Sequence, residues 1–322
     1  MINWIKNTVV PIFLVLQGTA IADTVYVTLE KDNSIAVVDG VTGKLSQVVE
    51  VGLRPRGIVL SKDKTQLYVA VSEEHTIKRI DIASMTIVGA FPVDKDPKTF
   101  AMSPNGDRLY VTNDDDNQLT VIDIPQNKII KRIPIAKEPE GVSVSPDGHW
   151  IITTSESDNV AQWIDANKLD IVDSSKVEMR PRSSLFTPDG QQLWVTSERA
   201  ADLTVFDVAT RRKVKTIRFE IPGITSETVK PVGIRIDSKQ RFAYVALGRA
   251  NRVAVIDADT LQTRAYIPVG QRVWNLEFSN DQKRLYTANG LSGDISIINL
   301  ENQQDVKSIA VGQYPWGIAV KP

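Results

Sequence analysis

Apolar and polar residues alternate in short segments that turn residues separate. Glu140–Ser145 (EGVSVS) is followed by the turn residues Pro146–Gly148 and by a second alternating segment, Ile151–Ser155. Val160–Asp165 and the weaker Leu169–Ser174 continue the pattern. Such alternation between turns is typical of β-strands, because successive side chains of a strand point to opposite faces. No segment has a 3.6-residue period long enough for a helix, so the pattern predicts an all-β chain.

Three landmarks repeat in step along the chain. The first is a short apolar segment that ends in an acidic or amide residue, at Asp39, Asp81, Asp123, Asp165, Asp207, Asp257 and Asn299. Their spacing is 42 residues, except for one interval of 50. The second is a proline position, occupied by Pro55, Pro97, Pro139, Pro181, Pro231, Val273 and Pro315. The third is an aromatic position, occupied by Tyr26, Tyr68, Tyr110, Ile152, Trp194, Tyr244 and Tyr286.

Seven copies of this length, with four short strands each, predict one seven-bladed β-propeller. The chain after residue 22 begins on the second strand of a blade, Thr24–Val27, and stops on a lone first strand, Trp316–Val320. We therefore expect the last strand to complete blade one and close the ring, which leaves no open edge between the first and last blades. The predicted domain is 23–322.

The repeated residues are predicted to be structural. The Asp at the end of each third strand is placed to accept hydrogen bonds from backbone N–H groups of the following turn, as in the segment Asp39–Gly43. The ring of Tyr and Trp residues is predicted to pack between blades.

The first 22 residues have the features of a cleaved export signal. Lys6 is the only charge, residues 8–16 are apolar, and Ala20–Ala22 has the small-x-small form of a cleavage site. The apolar segment is shorter than the ~20 residues that span a bilayer. We expect a mature chain from Asp23 with no membrane span, periplasmic in a Gram-negative source. The alternatives are a buried N-terminal strand and an uncleaved anchor.

Composition excludes several functions. Cysteine is absent, which removes disulfides, thiolate metal sites and cysteine nucleophiles. Two histidines, His75 and His149, leave little basis for zinc or histidine catalysis, and the sequence predicts no metal and no catalytic residues. A net charge of −1, from 38 basic and 39 acidic residues, argues against nucleic acid as a partner.

Candidate chemistry lies at the channel mouth, where the strand-four-to-one and strand-two-to-three loops share one face. The residues that flank the proline position include seven cations and three anions, a local charge of +4. The predicted ligand- or partner-binding residues are Arg54, Arg56, Lys98, Glu140, Arg180, Arg182, Lys230, Arg272, Trp274, Tyr314 and Trp316. One hypothesis is a planar anionic ligand held by ion pairing and stacking. The other is a water-filled channel lined by Arg–Glu pairs.

Three further features of the loops bear on function. Asp114–Asp116, with Asn113 or Asn117, offers oxygen ligands for Ca²⁺, but consecutive carboxylates do not have the alternating spacing of a calcium loop, which favours a solvated acidic rim. The extra eight residues, near Glu220–Val229, are expected to form a partial lid or docking loop over the mouth. His75 and His149 fall on opposite faces and cannot share a site.

The repeats resemble a known family in the segments Leu109–Asn113 (LYVTN), Val121–Asp123, Pro139–Gly148, Leu285–Asn289 and Tyr314–Val320. These are similar to the YVTN-type seven-bladed propellers, over the chain from Asp23 onward. With its export signal, the chain looks most like the propellers associated with catabolism that depends on pyrroloquinoline quinone (PQQ). That resemblance implies a place beside quinoprotein alcohol or amine oxidation, and it implies neither catalytic residues nor binding of the quinone itself.

Two interpretations follow. The first is a non-catalytic periplasmic binding or scaffold protein, with no cofactor of its own, whose mouth contacts a quinoprotein dehydrogenase or a small anionic ligand. The second is a lactonase-like hydrolase, or a structural subunit of a quinoprotein-type dehydrogenase. A lactonase needs a metal or an activated water held by convergent carboxylates and histidine, whereas the inner positions offer mainly Arg, Lys and Trp.

Overall fold

A computed structural model describes residues 23–303 and 306–322. The predicted export signal, residues 1–22, lies outside the described residues. The described chain forms seven four-stranded antiparallel sheets, which confirms the predicted all-β seven-bladed propeller. Its only described helix is a single 3₁₀ turn at Ser72–Glu74. Within residues 23–303 and 306–322, no helix combines the length and the hydropathy needed to cross a bilayer.

Each blade runs from an inner strand at the channel to an outer strand at the rim. Blades one and two contain β28 (Pro315–Lys321), β1 (Thr24–Leu29), β2 (Ser34–Asp39) and β3 (Leu45–Glu50), then β4 (Pro55–Leu60), β5 (Gln66–Val71), β6 (Thr76–Asp81) and β7 (Thr86–Pro92). Blades three and four contain β8 (Pro97–Met102), β9 (Arg108–Asn113), β10 (Gln118–Asp123) and β11 (Lys128–Pro134), then β12 (Pro139–Val144), β13 (Trp150–Ser155), β14 (Val160–Asp165) and β15 (Asp170–Lys176).

The remaining blades follow the same order. Blade five contains β16 (Pro181–Phe186), β17 (Gln192–Ser197), β18 (Asp202–Asp207) and β19 (Lys213–Arg218). Blade six contains β20 (Ile234–Ile236), β21 (Phe242–Ala246), β22 (Arg252–Asp257) and β23 (Gln262–Pro268). Blade seven contains β24 (Val273–Phe278), β25 (Arg284–Asn289), β26 (Asp294–Asn299) and β27 (Val306–Ala310).

The last strand closes the ring, as predicted. β28 pairs antiparallel with β1 and places Ala319 opposite Tyr26. Blade one is therefore built from both ends of the described chain. Asp23 strengthens this seam, because its side chain accepts a hydrogen bond from the Tyr286 hydroxyl in blade seven at 3.1 Å.

The core lies between neighbouring blades. Tyr26 of blade one packs with Leu67 and Val69 of blade two, and all three are buried. The other aromatic residues of the ring are buried in the same way, so the predicted packing role is confirmed. The repeated Asp also acts as predicted: Asp39 Oδ1 accepts backbone hydrogen bonds from Val41 and Thr42 at 2.9 and 2.8 Å.

A threonine in the second strand joins neighbouring blades near the axis. Thr28 Oγ1 donates to the carbonyl oxygen of Arg56, on the inner strand of the next blade, at 2.7 Å. The same bond joins Thr112 to Glu140, Thr154 to Arg182 and Thr196 to Val232. These bonds fix the backbone of the inner strands, and with it the side chains that flank the proline position.

Blade six departs from the repeat. Its inner strand has three residues, whereas the inner strands of the other blades have six or seven. The inserted segment, near Glu220–Val229, precedes this strand. Ile221 and Val229 of the segment, and Phe219 just before it, are buried in the core between blades five and six. The insertion is thus anchored at both ends and is not a free loop. Whether its exposed centre covers the mouth stays a prediction.

Candidate binding site at the channel mouth

Six of the seven strand-four-to-one loops share one backbone conformation. The residue before the proline position has a left-handed φ of 47–60° in six blades, at Arg54, Asp96, Glu138, Arg180, Arg272 and Tyr314. A left-handed residue at the end of a loop reverses the chain locally, so these side chains project beside the inner strand. Lys230 of blade six is the exception.

On one side of the mouth the chain supplies both signs of charge. Arg54 and Arg56 bind Glu30 at 3.0 and 3.3 Å, and both also approach Asp96. Lys98 contacts Asp114 and, at 3.2 Å, Glu140.

The network continues into blade five. Arg182 binds Glu140 at 2.9 Å and also pairs with Glu156, and Arg180 binds Glu156 at 2.7 Å. Five cations and five carboxylates therefore balance. We call this set the paired arc: Glu30, Arg54, Arg56, Asp96, Lys98, Asp114, Glu140, Glu156, Arg180 and Arg182.

Burial gives the paired arc a strong internal electrostatic coupling. Arg182 is 6% exposed and Glu140 is 4% exposed. Burial alone would raise the pKa of Glu140, but the charges of Arg182 and Lys98 outweigh it and lower this pKa to about 2. At Glu156 burial outweighs Arg182, and the pKa of that carboxyl is raised. A buried charge that lost its partner here would be costly, so the network is held as a unit.

The adjoining part of the mouth, around blades six and seven, has more cations than carboxylates. Arg272 binds Glu198 at 3.3 Å, and Glu198 is already shared with Arg180 at 3.3 Å. Among the described residues, the side chains of Lys230 and Arg249 have no hydrogen bond or ion pair. We call Glu198, Lys230, Arg249 and Arg272 the cationic arc, which has three cations and one carboxylate.

The electrostatics of Arg272 reflect this surplus. Burial lowers the pKa of its guanidinium, Glu198 opposes that effect, and the charges of Arg249 and Arg182 lower it further. Repulsion from neighbouring cations means that a negative charge placed here would be stabilised.

The aromatic residues of the mouth already contact other side chains of the protein. The Arg272 guanidinium lies 4.1 Å from the centre of the Trp274 ring, and Arg182 lies 5.6 Å from it. Trp316 is 6% exposed, and the Tyr314 ring lies 5.9 Å from Lys31 Nζ. The two indoles are therefore packed side chains, which weakens the hypothesis of a ligand stacked between them.

The predicted charge of +4 needs correction. It counted only the residues beside the proline position, and the strand-two-to-three loops bring Glu30, Asp114, Glu156 and Glu198 into contact with those cations. Each of these carboxylates lies within ion-pair distance of an inner cation, so Asp114 is a partner of the mouth and not part of the solvated rim that the sequence favoured for Asp114–Asp116. The structure thus brings the predicted residues together on one face, and ligand binding by them stays a prediction.

The acidic loop of blade three does not gather the proposed calcium ligands. Asp96, Asp114 and Asp115 place carboxylate oxygens within 4.8 Å of one another, but Asp114 is paired with Lys98. Asn113 Nδ2 donates to a backbone carbonyl. Asn117 Oδ1 accepts the Glu138 amide, and Asp116 accepts the Lys95 amide.

The two histidines occupy separate places. His75 Nδ1 accepts the Asp96 amide at 3.4 Å, near the mouth, whereas the His149 ring lies edge-on to Trp150 at 4.4 Å. They do not form one site.

Sequence reasoning missed Glu198 and Arg249. The signal was present in the repeat, since Glu30, Asp114, Glu156 and Glu198 all stand four residues after the aromatic position of their blades. Arg249 is the second residue of the equivalent loop in blade six. Only the pairing of Arg272 with Glu198, two blades apart, could not be read from that register.

Solved structures share this fold. Hydrazine synthase of Kuenenia stuttgartiensis superposes with a TM-score of 0.77 and 21% identity, over 86% of this chain and 92% of that one. A Bacteroides fragilis protein, described by inference as a 6-phosphogluconolactonase, has a TM-score of 0.78 and 16% identity, over 94% and 99%. The dihydro-heme d1 dehydrogenase NirN has a TM-score of 0.70 and 14% identity, over 92% and 74%. At these identities the likeness concerns the fold alone.

The sequence also matches two family models. No curated protein matches the chain significantly. The YNCE-like β-propeller model matches residues 1–152, and the Choice-of-anchor I domain model matches residues 125–313. Because the second match spans more than half of the chain, this propeller belongs to the Choice-of-anchor I domain family, with a YNCE-like β-propeller match over its N-terminal half.

Proposed function

We propose that this protein is an exported, non-catalytic binding or scaffold propeller that serves a PQQ-dependent alcohol or amine oxidation pathway in the periplasm. Its contact surface is the channel mouth, and its partner is a quinoprotein dehydrogenase or a small anionic ligand. The observation that carries the binding role is the cationic arc, where the side chains of Lys230 and Arg249 have no hydrogen bond or ion pair in the described chain. The pathway and the location rest on the resemblance of the repeats and on the predicted export signal.

Exposed apolar residues on the same face support a protein partner. Leu53, Leu291 and Tyr314 are each exposed by more than a third of their surface and belong to mouth-side loops of blades seven, one and two. Together with the charged residues they combine apolar anchors with a polar surround, as interfaces do.

The test is binding between the mature chain and a purified quinoprotein dehydrogenase from the same organism, measured by biolayer interferometry. Tyr314→Ala and Arg249→Ala should weaken binding by about tenfold each, as expected for an aromatic or arginine anchor. Lys168→Ala, which removes an exposed charge on the turn after a third strand, should leave the dissociation constant unchanged. PQQ is titrated in parallel as the alternative ligand. Absence of binding, or equal affinity of all three variants, contradicts the partner role.

A lactonase-like hydrolase is the second candidate. Glu198 is 4% exposed, and its Oε2 atom has no hydrogen bond, only ion-pair contacts with Arg180 and Arg182. A buried carboxylate beside arginines could activate water while a guanidinium stabilises the oxyanion of an opening lactone. The similarity in fold to proteins described as 6-phosphogluconolactonases fits this interpretation.

Hydrolysis separates the two candidates. Release of acid from gluconolactone and 6-phosphogluconolactone is followed by pH-stat titration. A hydrolase should lose at least about 100-fold in kcat with Glu198→Gln, and a binding protein should show no turnover above buffer. A structural subunit of a dehydrogenase would instead co-purify with the enzyme in a fixed stoichiometry.

A further inference from the structure

The strand-two-to-three loops differ from blade to blade at one equivalent position. This position stands four residues after the aromatic landmark and is occupied by Glu30, Ser72, Asp114, Glu156, Glu198, Gly248 and Gly290. In blades one and four its carboxylate binds the arginines that flank the proline position of the next blade: Glu30 binds Arg54, and Glu156 binds Arg180. Blade seven has the equivalent arginine, Arg272, with the same left-handed backbone (φ 58°, against 60° at Arg54). The repeat therefore predicts a carboxylate at position 248, where the chain has glycine.

The backbone of Lys230 leaves no room for that side chain. A Cβ atom on Gly248 would lie 2.6 Å from Lys230 Cβ and 2.7 Å from the Lys230 carbonyl oxygen, both too close without a shift of the backbone. Lys230 is brought there by the inserted segment, which ends at the buried Val229. Blade six therefore has a glycine packed against Lys230 at the position where four other blades have a carboxylate.

Arg272 pairs with a carboxylate that lies two blades away. Arg272 reaches across blade six to Glu198 of blade five, which is buried and also faces Arg180 and Arg182. Arg249, the residue after Gly248, adds a further positive charge that has no partner among the described residues. Glu198 is therefore the one carboxylate that forms an ion pair with any of the three cations of the cationic arc in the described chain.

We propose that Lys230, Arg249 and Arg272 form a binding site for a small carboxylate ligand, whose carboxylate group replaces the one that the repeat supplies in blades one and four. The proposal deepens the proposed function and rests on the role of the mouth as a binding surface. A guanidinium pairs with a carboxylate in two parallel hydrogen bonds, and the repeat already uses arginine–carboxylate pairing at Arg54 and Arg180. Two additional cations favour a dicarboxylate over a monocarboxylate.

The geometry disfavours recognition by stacking. The Trp274 ring already has the Arg272 guanidinium 4.1 Å from its centre, and a Cβ on Gly290 would lie 2.5 Å from Trp274 Nε1. The indole is therefore fixed between Arg272 and the blade-seven loop. It orients Arg272 and leaves the ligand to be held by charge and hydrogen bonds.

The experiment is isothermal titration calorimetry of the mature protein with succinate, citrate, acetate and inorganic phosphate at low ionic strength. Succinate or citrate should bind at least about tenfold more tightly than acetate, with an affinity that falls as salt rises. Arg249→Gln and Arg272→Gln should each weaken dicarboxylate binding by about tenfold or more. The Arg249 side chain has no hydrogen bond or ion pair within the described chain, so its variant tests binding even if Arg272→Gln is destabilised.

Lys168→Gln is the control. It removes one positive charge from an exposed turn after a third strand, outside the mouth, and it should change dicarboxylate affinity by less than about twofold. Phosphate binding about tenfold more tightly than every carboxylate would overturn the assigned ligand class. Absence of binding in the wild type, or equal loss in Lys168→Gln and Arg249→Gln, would overturn the site itself. Neither outcome depends on a dehydrogenase, so failure of the partner role is a separate result.

Discussion

The paired arc and the cationic arc occupy the same positions of one repeat and differ in the source of the negative charge. In the paired arc the chain itself places Glu30, Glu140 and Glu156 against its cations. In the cationic arc only Glu198 is within ion-pair distance, and Gly248, packed against Lys230, stands where a carboxylate is expected. Loops with equivalent backbones can therefore carry either a charge-balanced network of ion pairs or a group of cations in excess over carboxylates. The difference separates residues that maintain the ring from residues that are free to bind a ligand.

The sharpest test of the comparison is to remove one cation from each arc. Arg182→Ala should lower the free energy of unfolding by about 3–5 kcal/mol, because it leaves the buried Glu140 and Glu156 without their main partner. Arg249→Ala should change it by less than about 0.5 kcal/mol, since the side chain has no partner among the described residues. Urea unfolding at neutral pH measures both. Equal losses would mean that the two arcs do not differ in structural role.

Acid should weaken the paired arc. The folded pKa of Glu140 is about 2, below its ordinary value of 4.5, so the stability that this carboxylate contributes is present above that ordinary value and is lost as the pH falls towards 2. The shift corresponds to about 3 kcal/mol at neutral pH. Thermal unfolding from about pH 6 down to about pH 2.5 should therefore show a steeper acid loss in the wild type than in Glu140→Gln. Parallel curves would contradict the lowered pKa.

The glycine of blade six should resist substitution. Gly248→Ala combines a left-handed φ of 49° with a Cβ that would meet Lys230 at 2.6 Å, and we expect a loss of about 2 kcal/mol. Gly223→Ala is the control, because its φ is 76° but no atom lies within 4 Å of the added Cβ, which leaves a loss of about 1 kcal/mol from backbone strain alone. Urea unfolding compares them. The same loss in both would show that Lys230 does not need the glycine.

The smallest predicted effect is an increase in the free energy of unfolding, whereas the other variants lower it. Arg249→Glu supplies a carboxylate beside Arg272 and should stabilise the fold by about 0.2–1 kcal/mol, as exposed ion pairs do. It should also abolish binding of dicarboxylates, measured by calorimetry. Arg249→Gln should lose binding without any gain in stability. A destabilised Arg249→Glu would show that the cationic arc has no missing negative charge.

Much of the fold could be predicted because its signals are local and repeated. Strand alternation, the 42-residue period and the turn residues each depend on a few neighbouring residues, and seven copies reinforce the same pattern. The hydrogen bonds of Asp39 to its own turn and the burial of Tyr26 follow from that pattern. Ring closure followed from the register of the repeat, because Thr24–Val27 matches a second strand and Trp316–Val320 matches a first strand.

The sequence indicated part of the mouth, and it missed Glu198, Arg249 and the balance of charges. The residues beside the proline position were identified from register, but their partners stand in other loops, and Arg272 and Glu198 are 74 residues apart in the chain. Trp316 was predicted as a binding residue, and its side chain is only 6% exposed, which the register of the repeat did not indicate. The inserted segment was predicted as a partial lid or docking loop, which stays a prediction, and the sequence did not indicate that its apolar ends are buried between blades.

The sequence by itself determined that this chain is a closed ring of seven blades and which side chains flank the proline position at its mouth, since strand period and repeat register are properties of neighbouring residues. Only the tertiary structure decided which of those charges are paired, because ion pairs form between loops of different blades, and their distances depend on how the ring closes. It also decided that Lys230 fills the place beside Gly248, since that contact depends on the path of the insertion between blades five and six.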